Sequence, residues 1–316
     1  MTMQLRILRK FLGDPSMPLV VVGSLALDTI ETPTARCENT LGGSAVYFAW
    51  AASYFTPVRL VGVVGEDWPA EYTQLLQSRG IDTQALEIRP GGRTFRWHGR
   101  YSEDLNSRET IEVHLNVMAD FNPILPEPHR RAPFVFLANG STHMQLRVLE
   151  QCSGAALVVA DTMDLWIRTE RPQLVQLLQR VGGLVLNDSE ARLLTGETHL
   201  VRAGRKALEL GPQFVVIKKG EHGAMFFSRH ETYVLPAYPT ENVVDPTGAG
   251  DSFAGAMLGY LAEQNNFEPT TLKQAMAYGI LVASFTVEGF SLDQLRKTER
   301  SDIERRMDQY RRMLSF

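Results

Sequence analysis

The chain has 316 residues, 44% of them hydrophobic and 22% charged, with a formal net charge of −4 at pH 7. That composition is ordinary for a soluble globular protein with room for one large α/β domain or two smaller ones. It lacks the basic footprint that nucleic-acid binding needs. Cys37 and Cys152 form no CxxC pair, so neither a disulfide framework nor a zinc site is indicated, and both are expected to stay thiols in a reducing cytoplasm. Arg6, Arg9 and Lys10 ahead of an apolar run imitate a secretory signal superficially. Asp14, Pro15 and Pro18 interrupt it and Asp28 closes it, which suits a buried first strand better. No stretch approaches the ~18–20 apolar residues of a membrane helix. A cytoplasmic protein with no membrane partner is expected.

In chain order, residues 1–17 are a polar, basic extension to which no role is assigned. Residues 18–28, PLVVVGSLALD, form a β-branched run typical of a strand buried on both faces, and it ends on Asp28. A polar, Thr-rich segment over 29–40 suits an exposed strand or loop. Gly42 and Gly43 then open a helix that is apolar on all sides and therefore buried, with Tyr47 inside it. Residues 58–82 read as strand, turn, helix and turn, Glu66 and Asp67 fitting the chemistry of a helix start.

The character changes over 91–122. Residues 94–101 and 110–117 alternate partly with period two around a polar turn, which predicts a two-stranded ribbon leaving the main sheet. Arg96, His98, Arg100 and His114 on it could face a ligand or simply solvent. Two more short strands follow, and Asp161 and Asp164 stand at the end of the second. Functional groups in open α/β sheets gather at strand carboxyl ends, which makes Asp161 a candidate site-wall residue. Asn187 and Glu190 follow the next strand, where Asn187 also suits an ordinary N-cap. Lys218 and Lys219 lead from another strand into a turn with Gly220 and Gly223. The last 26 residues form a charged amphipathic helix with Ile303, Met307, Tyr310 and Met313 on its buried face.

The most informative stretch is NVVDPTGAGDSFAGAMLGYL, residues 242–261. Pro246 ends an extended run, and Gly248 and Gly250 allow backbone angles that other residues resist. Phe253, Met257 and Leu261 recur on one helical face. The amides of Gly248, Ala249 and Gly250 should point outward at a helix N-terminus, where the macrodipole favours an anion. A carboxylate, Asp251, stands beside that nest. A site that merely held phosphate would be weakened by it; one that transfers a phosphoryl group would use it as the base for the attacking hydroxyl.

Asp245-Pro246-Thr247-Gly248-Ala249-Gly250-Asp251 resembles the signature of the ribokinase-like carbohydrate kinases, the PfkB family, and the resemblance extends over about 19–289. It implies an α/β fold: a ribokinase-like, doubly wound, mostly parallel sheet with helices on both faces and a small β lid. One kinase domain would span 1–316, with lid strands at about 29–40 and 91–120. It further implies ATP-dependent phosphoryl transfer to a hydroxyl of a sugar, a primary hydroxymethyl first. Gly248, Ala249 and Gly250 would form the anion hole and Asp251 would be the catalytic base. Asp28, Gly42 and Gly43 would orient the acceptor. Lys219, Gly220, Gly223 and Thr247 would lie at the nucleotide, and Asn187 and Glu190 would hold Mg²⁺ through water. A monovalent cation such as K⁺ near Asp245 and Thr247, and a homodimer through the lid, are implied by analogy alone.

Two departures stand out. Tyr47 replaces an asparagine that often bonds an acceptor hydroxyl, and Tyr278 replaces another in a helix that resembles the one near adenine. A ribonucleoside kinase remains an alternative, with Tyr47, Phe95, Trp97 and Tyr101 as candidate surface for a base. So does a non-catalytic sugar sensor on the kinase fold, although an intact nest and Asp251 argue against it. Walker A, HRD, DFG, HExxH and GxSxG motifs are absent from the sequence.

Overall fold

A computed structural model describes residues 17–315; the extension over 1–16 and Phe316 lie outside the described residues. The first apolar run forms strand β1 (Leu19–Val22). Its residues alternate between faces: Leu19 and Val21 join one hydrophobic cluster, Val20 and Val22 the other. A strand covered on both faces needs this continuous apolar character. The chain then leaves for β2 (Ala26–Glu31) and β3 (Arg36–Gly42) and returns through α1 (Ser44–Ala52) to β4 (Val58–Gly65). After α2 (Ala70–Ser78) and β5 (Asp82–Arg89) it departs again for β6 (Arg96–Tyr101) and β7 (Arg108–His114).

From α3 (Glu127–Arg130) onward strands and helices alternate. β8 (Phe134–Leu137), α4 (Thr142–Gln151), β9 (Leu157–Asp161), α5 (Asp164–Thr169) and α6 (Arg171–Leu178) come first. β10 (Gly183–Asn187), α7 (Asp188–Thr195), α8 (Leu200–Glu209) and β11 (Phe214–Lys218) follow. The hairpin β12 (Ala224–Ser228) and β13 (Thr232–Leu235) closes the sheet, and α9 (Ala249–Gln264), α10 (Pro269–Thr286) and α11 (Arg300–Leu314) complete the chain.

The main sheet has nine strands in the order β13-β12-β11-β10-β9-β8-β1-β4-β5. Its pairs are parallel except β11 with β12 and β12 with β13. Helices α1, α9, α10 and α11 cover one face, contributing Phe48, Met257, Met276 and Met307; α4, α6, α7 and α8 cover the other with Val148, Leu177, Ala191 and Ala203. This is the doubly wound α/β architecture expected from the sequence. Phe48 on α1 stacks on Phe136 of β8 at 4.0 Å between centroids, and burial of each such side chain contributes about 1.5–3 kcal/mol. Among the described residues no helix is long and apolar enough to cross a membrane.

The second sheet joins the two-stranded ribbon over 91–122 to strands from around the 29–40 segment, the other stretch expected in the lid. β2 pairs parallel with β6 and antiparallel with β3, giving a four-stranded sheet in the order β3-β2-β6-β7. Period-two alternation in β6 and β7 could not reveal a partner from 70 residues earlier in the chain. Its charged side chains also differ from the ligand-facing alternative. Arg100 and His98 both bond Glu31, Arg96 pairs with Asp67 at 3.0 Å, and His114 pairs with Glu112. On α11, Ile303, Met307 and Tyr310 are buried as expected, but Met313 is exposed.

Candidate active site

Parallel strands deliver their carboxyl ends to one edge, and three of them end in polar side chains there. Asp161 ends β9, Asn187 ends β10 and Lys218 ends β11, with Asn187 in register with Lys218. Strand alternation decides which face they take. Val159, Val185 and Val216, each two residues earlier, belong to the cluster on the α9 side. Asp161, Asn187 and Lys218 therefore project toward the start of α9.

That start is the signature loop. Gly248 caps α9 in the left-handed region, φ 76°, and a Cβ there would sit 2.3 Å from the Tyr47 ring. Only glycine satisfies both the angle and the contact. Ser252 N donates to Gly248 O at 2.8 Å, beginning the helix. Ala249 N donates to Pro246 O at 3.2 Å, which corrects the expectation that the Ala249 amide points outward. Among the described residues the N–H groups of Gly248, Gly250 and Asp251 have no partner, so they are the open donors at this positive helix end.

Asp251 lies in the first turn of α9. Burial and the neighbouring Asp161 charge push its carboxyl up to about 7, opposed by Lys218 and Arg108. Glu190 is likewise raised to about 7 by burial and Asp161. Lys218 Nζ lies 3.3 Å from Asp161 Oδ2. Burial alone would lower Lys218, but Asp161, Glu190 and Asp251 hold it above the ordinary lysine value, so it stays charged.

The structure brings in two residues that the sequence reading missed. Lys218, not Lys219, joins the cluster; Lys219 makes no ion pair among the described residues and its N–H closes the turn onto Gly223 O. Strand parity was the available signal, since Lys218 shares its face with Phe214 and Val216. Arg108, the first residue of β7, contributes positive charge to Asp161, Glu190 and Asp251 from the lid. No local pattern marks it.

Asn187 and Glu190 form a reciprocal capping box on α7: Glu190 N donates to Asn187 Oδ1 at 2.8 Å, and Asn187 N donates to Glu190 Oε2 at 2.7 Å. The capping box thus falls on the pair expected from the sequence to hold Mg²⁺, and Glu190 Oε1 remains uncommitted. Among the described residues no group of three or more His, Cys, Asp or Glu side chains could hold a metal ion. One carboxylate oxygen suits Mg²⁺ held mostly by phosphates and water, its usual mode.

On the other side of the loop, Asp28 is 3% exposed and its Oδ1 has no partner. Burial and the charges of Asp245 and Asp251 push its carboxyl up to about 8, against hydrogen bonds from the Trp97 and Gly43 backbone. Gly42 leaves the room it needs: a Cβ there would meet Asp28 Oδ2 at 1.9 Å. Tyr47 lies with its ring under Gly248 and its hydroxyl buried without a partner. It is part of the floor of the nest as well as core. Thr247, assigned to the nucleotide from the sequence, instead faces the lid: its Oγ1 lies 3.0 Å from Tyr101 Oη. At the lid tip Asn106 donates to Glu221 at 3.0 Å, in the turn bearing Gly220 and Gly223. Tyr278 turns away, bonding Glu304 and packing edge-on to Phe55 between α10 and α11.

Comparison with known proteins agrees with this geometry. Residues 18–296 match the model of the pfkB family carbohydrate kinases. A cytidine kinase of Thermococcus kodakarensis is 31% identical over 270 residues, 84% of this chain and 94% of that protein. Among solved structures, a Burkholderia thailandensis nucleoside kinase in complex with inosine superposes with TM-score 0.74 at 20% identity, over 92% of this chain and 98% of that one. Arabidopsis thaliana ribokinase complexed with ribose and ATP gives 0.73 at 20% identity, over 92% and 99%. The chain belongs to the pfkB family of carbohydrate kinases. It is a phosphotransferase acting on a sugar or nucleoside hydroxyl.

Proposed function

We propose that this enzyme transfers the γ-phosphoryl group of ATP to the primary hydroxymethyl of a ribofuranosyl acceptor, a ribonucleoside ahead of a free pentose. The observation that carries the reading is the placement of Asp251, raised to about 7, directly after the open amides of Gly248 and Gly250. The acceptor hydroxyl oxygen forms a bond to the γ-phosphorus while the bond from that phosphorus to the β,γ-bridging oxygen breaks. The hydroxyl proton passes to Asp251, and ADP departs with the bridging electron pair. The N–H groups at the α9 start stabilise the charge on the equatorial oxygens. Asp28 Oδ1, buried and unpartnered, takes a hydrogen bond from an acceptor hydroxyl, with Gly42 and Gly43 letting the backbone approach. Mg²⁺ near Glu190 Oε1 would offset charge on the phosphates. A monovalent cation fits Asp245, whose Oδ2 is buried without a partner while Oδ1 accepts from Thr247 N.

The cytidine kinase relative, aligned over most of both chains, supports the nucleoside over the free sugar. Trp97, partly buried on β6, and Tyr101 supply aromatic surface on the lid near Asp28. A turnover screen with ATP against ribonucleosides, pentoses and hexoses tests the acceptor, and the highest kcat/KM is expected for a ribonucleoside. Turnover of free sugars alone would overturn that choice. A homodimer through β7, where Ile111 and Val113 are exposed, and a cytoplasmic setting belong to the same reading.

The raised carboxyl also sets a pH dependence. A base must be ionised to accept the proton, so activity is present above the folded pKa and lost as pH falls through it. The acid limb of kcat/KM is expected near pH 7 rather than near 4, falling about tenfold per pH unit below it. Activity that stays flat down to pH 5 would remove Asp251 from the role.

A further inference from the structure

We propose that Lys218 is a phosphoryl-binding residue that contacts the γ-phosphoryl group at the nest, and that Asp161 positions it. The assignment rests on reading the α9 start as the γ-phosphoryl site, and it adds a side-chain cation to what would otherwise be a backbone device.

The geometry begins with the strand. Lys218 is the last residue of β11, and alternation aims it at the α9 face. A Cβ built on Gly250 would lie 3.0 Å from Lys218 Nζ, so the ammonium rests against the backbone of the nest itself. The side chain is only 16% exposed, and its Asp161 partner 5%. Burying a charge is costly unless it is paired and hydrogen-bonded. Here the pairing is loose: the contact to Asp161 is 3.3 Å, against about 2.7–2.9 Å for a strong charge-assisted bond. An ammonium has three protons to donate, and Asp161 takes one. The remaining donors stand beside Gly250, whose own N–H is open.

Charge makes the same point. Asp161, Glu190 and Asp251 converge on this corner, and a phosphoryl group carried in by a nucleotide would meet all three. Lys218 is the buried cation among them, whereas Arg108 reaches the cluster from the exposed start of β7. Asp161 holds the ammonium in place while the nest is empty of phosphate. A purely structural ion pair would need no such contact with Gly250, and a salt bridge elsewhere on the sheet would serve as well.

The experiment compares ATP with ADP, which differ by the γ-phosphoryl alone. Binding of each, with Mg²⁺ and without acceptor, is measured by calorimetry for the full-length protein and for Lys218→Met. The variant is expected to lose affinity for ATP by about 10-fold or more relative to ADP. Its kcat should fall by ~10²–10³, with acceptor KM within about threefold. Equal losses for ATP and ADP, or a near-normal kcat, overturn the proposal. Since Lys218→Met leaves a buried carboxylate unpaired, the double variant Lys218→Met/Asp161→Asn provides the fold control. It should regain thermal stability while keeping the kinetic loss. Recovery of kcat in the double variant would show that the lysine only neutralises Asp161, and would overturn the proposal too. Should Asp251→Asn turn over normally, the reading of the nest fails first. If Asp251→Asn is inactive and Lys218→Met is not, the lysine assignment alone is lost.

Discussion

Asp251→Asn is expected to lower kcat by ~10²–10⁴, the range for removing a general base, while the protein stays folded and still binds ATP. Asparagine preserves the shape of the first turn of α9 and leaves the Gly248 and Gly250 amides where they are. It removes one of the three carboxylates around Lys218, so repulsion toward a triphosphate decreases. ATP affinity should therefore hold or tighten as turnover collapses. The measurement is steady-state kcat alongside calorimetric ATP binding. A well-folded variant with near-normal kcat would mean that another group takes the proton, and Glu190 would then be next to examine, since its carboxyl is also raised to about 7.

Gly248→Val should damage catalysis by at least the loss of one oxyanion-type donor, about 2.7–4 kcal/mol of transition-state stabilisation or ~10²–10³ in kcat. Two causes act together. At φ 76° a β-branched residue is strained, and its Cβ would enter the Tyr47 ring at 2.3 Å. Both displace the start of α9 from its position over α1. The corresponding change at Gly250 should be milder, because its Cβ would meet the flexible end of Lys218 at 3.0 Å rather than a buried ring. Acceptor KM is expected to change less than kcat in either variant, since Asp28, Gly42 and Gly43 lie on separate elements. A Gly248→Val enzyme with normal kcat and a raised acceptor KM would place the glycine in acceptor binding instead.

Local sequence determined a good deal of this protein. The short apolar runs at β1, β8 and β10, bounded by turn residues, marked buried parallel strands, because they are apolar on both faces and too short for a helix. The signature loop was legible for a related reason: a helix start built from Gly248 and Gly250 has one backbone solution, and Asp251 is chained to it. Asn187 and Glu190 could be found because a capping box is a local motif, four residues long. Even the choice of Lys218 over Lys219 was available in principle from alternation along β11.

What tertiary structure decided are the contacts between distant segments. The pairing of β2 with β6 is made across more than 60 intervening residues, and the registry of that lid depends on Glu31 meeting His98 and Arg100. Arg108 reaches the site only because the lid hairpin folds over it, and Thr247 turns to Tyr101 for the same reason. Tyr47 becomes the floor of the nest because α1 and α9 pack side by side, a fact that no pattern within either helix contains. Periodicity records which face of an element is buried. What that face is buried against is set by packing of the whole chain, and the charge environment of Asp251 is a property of that packing.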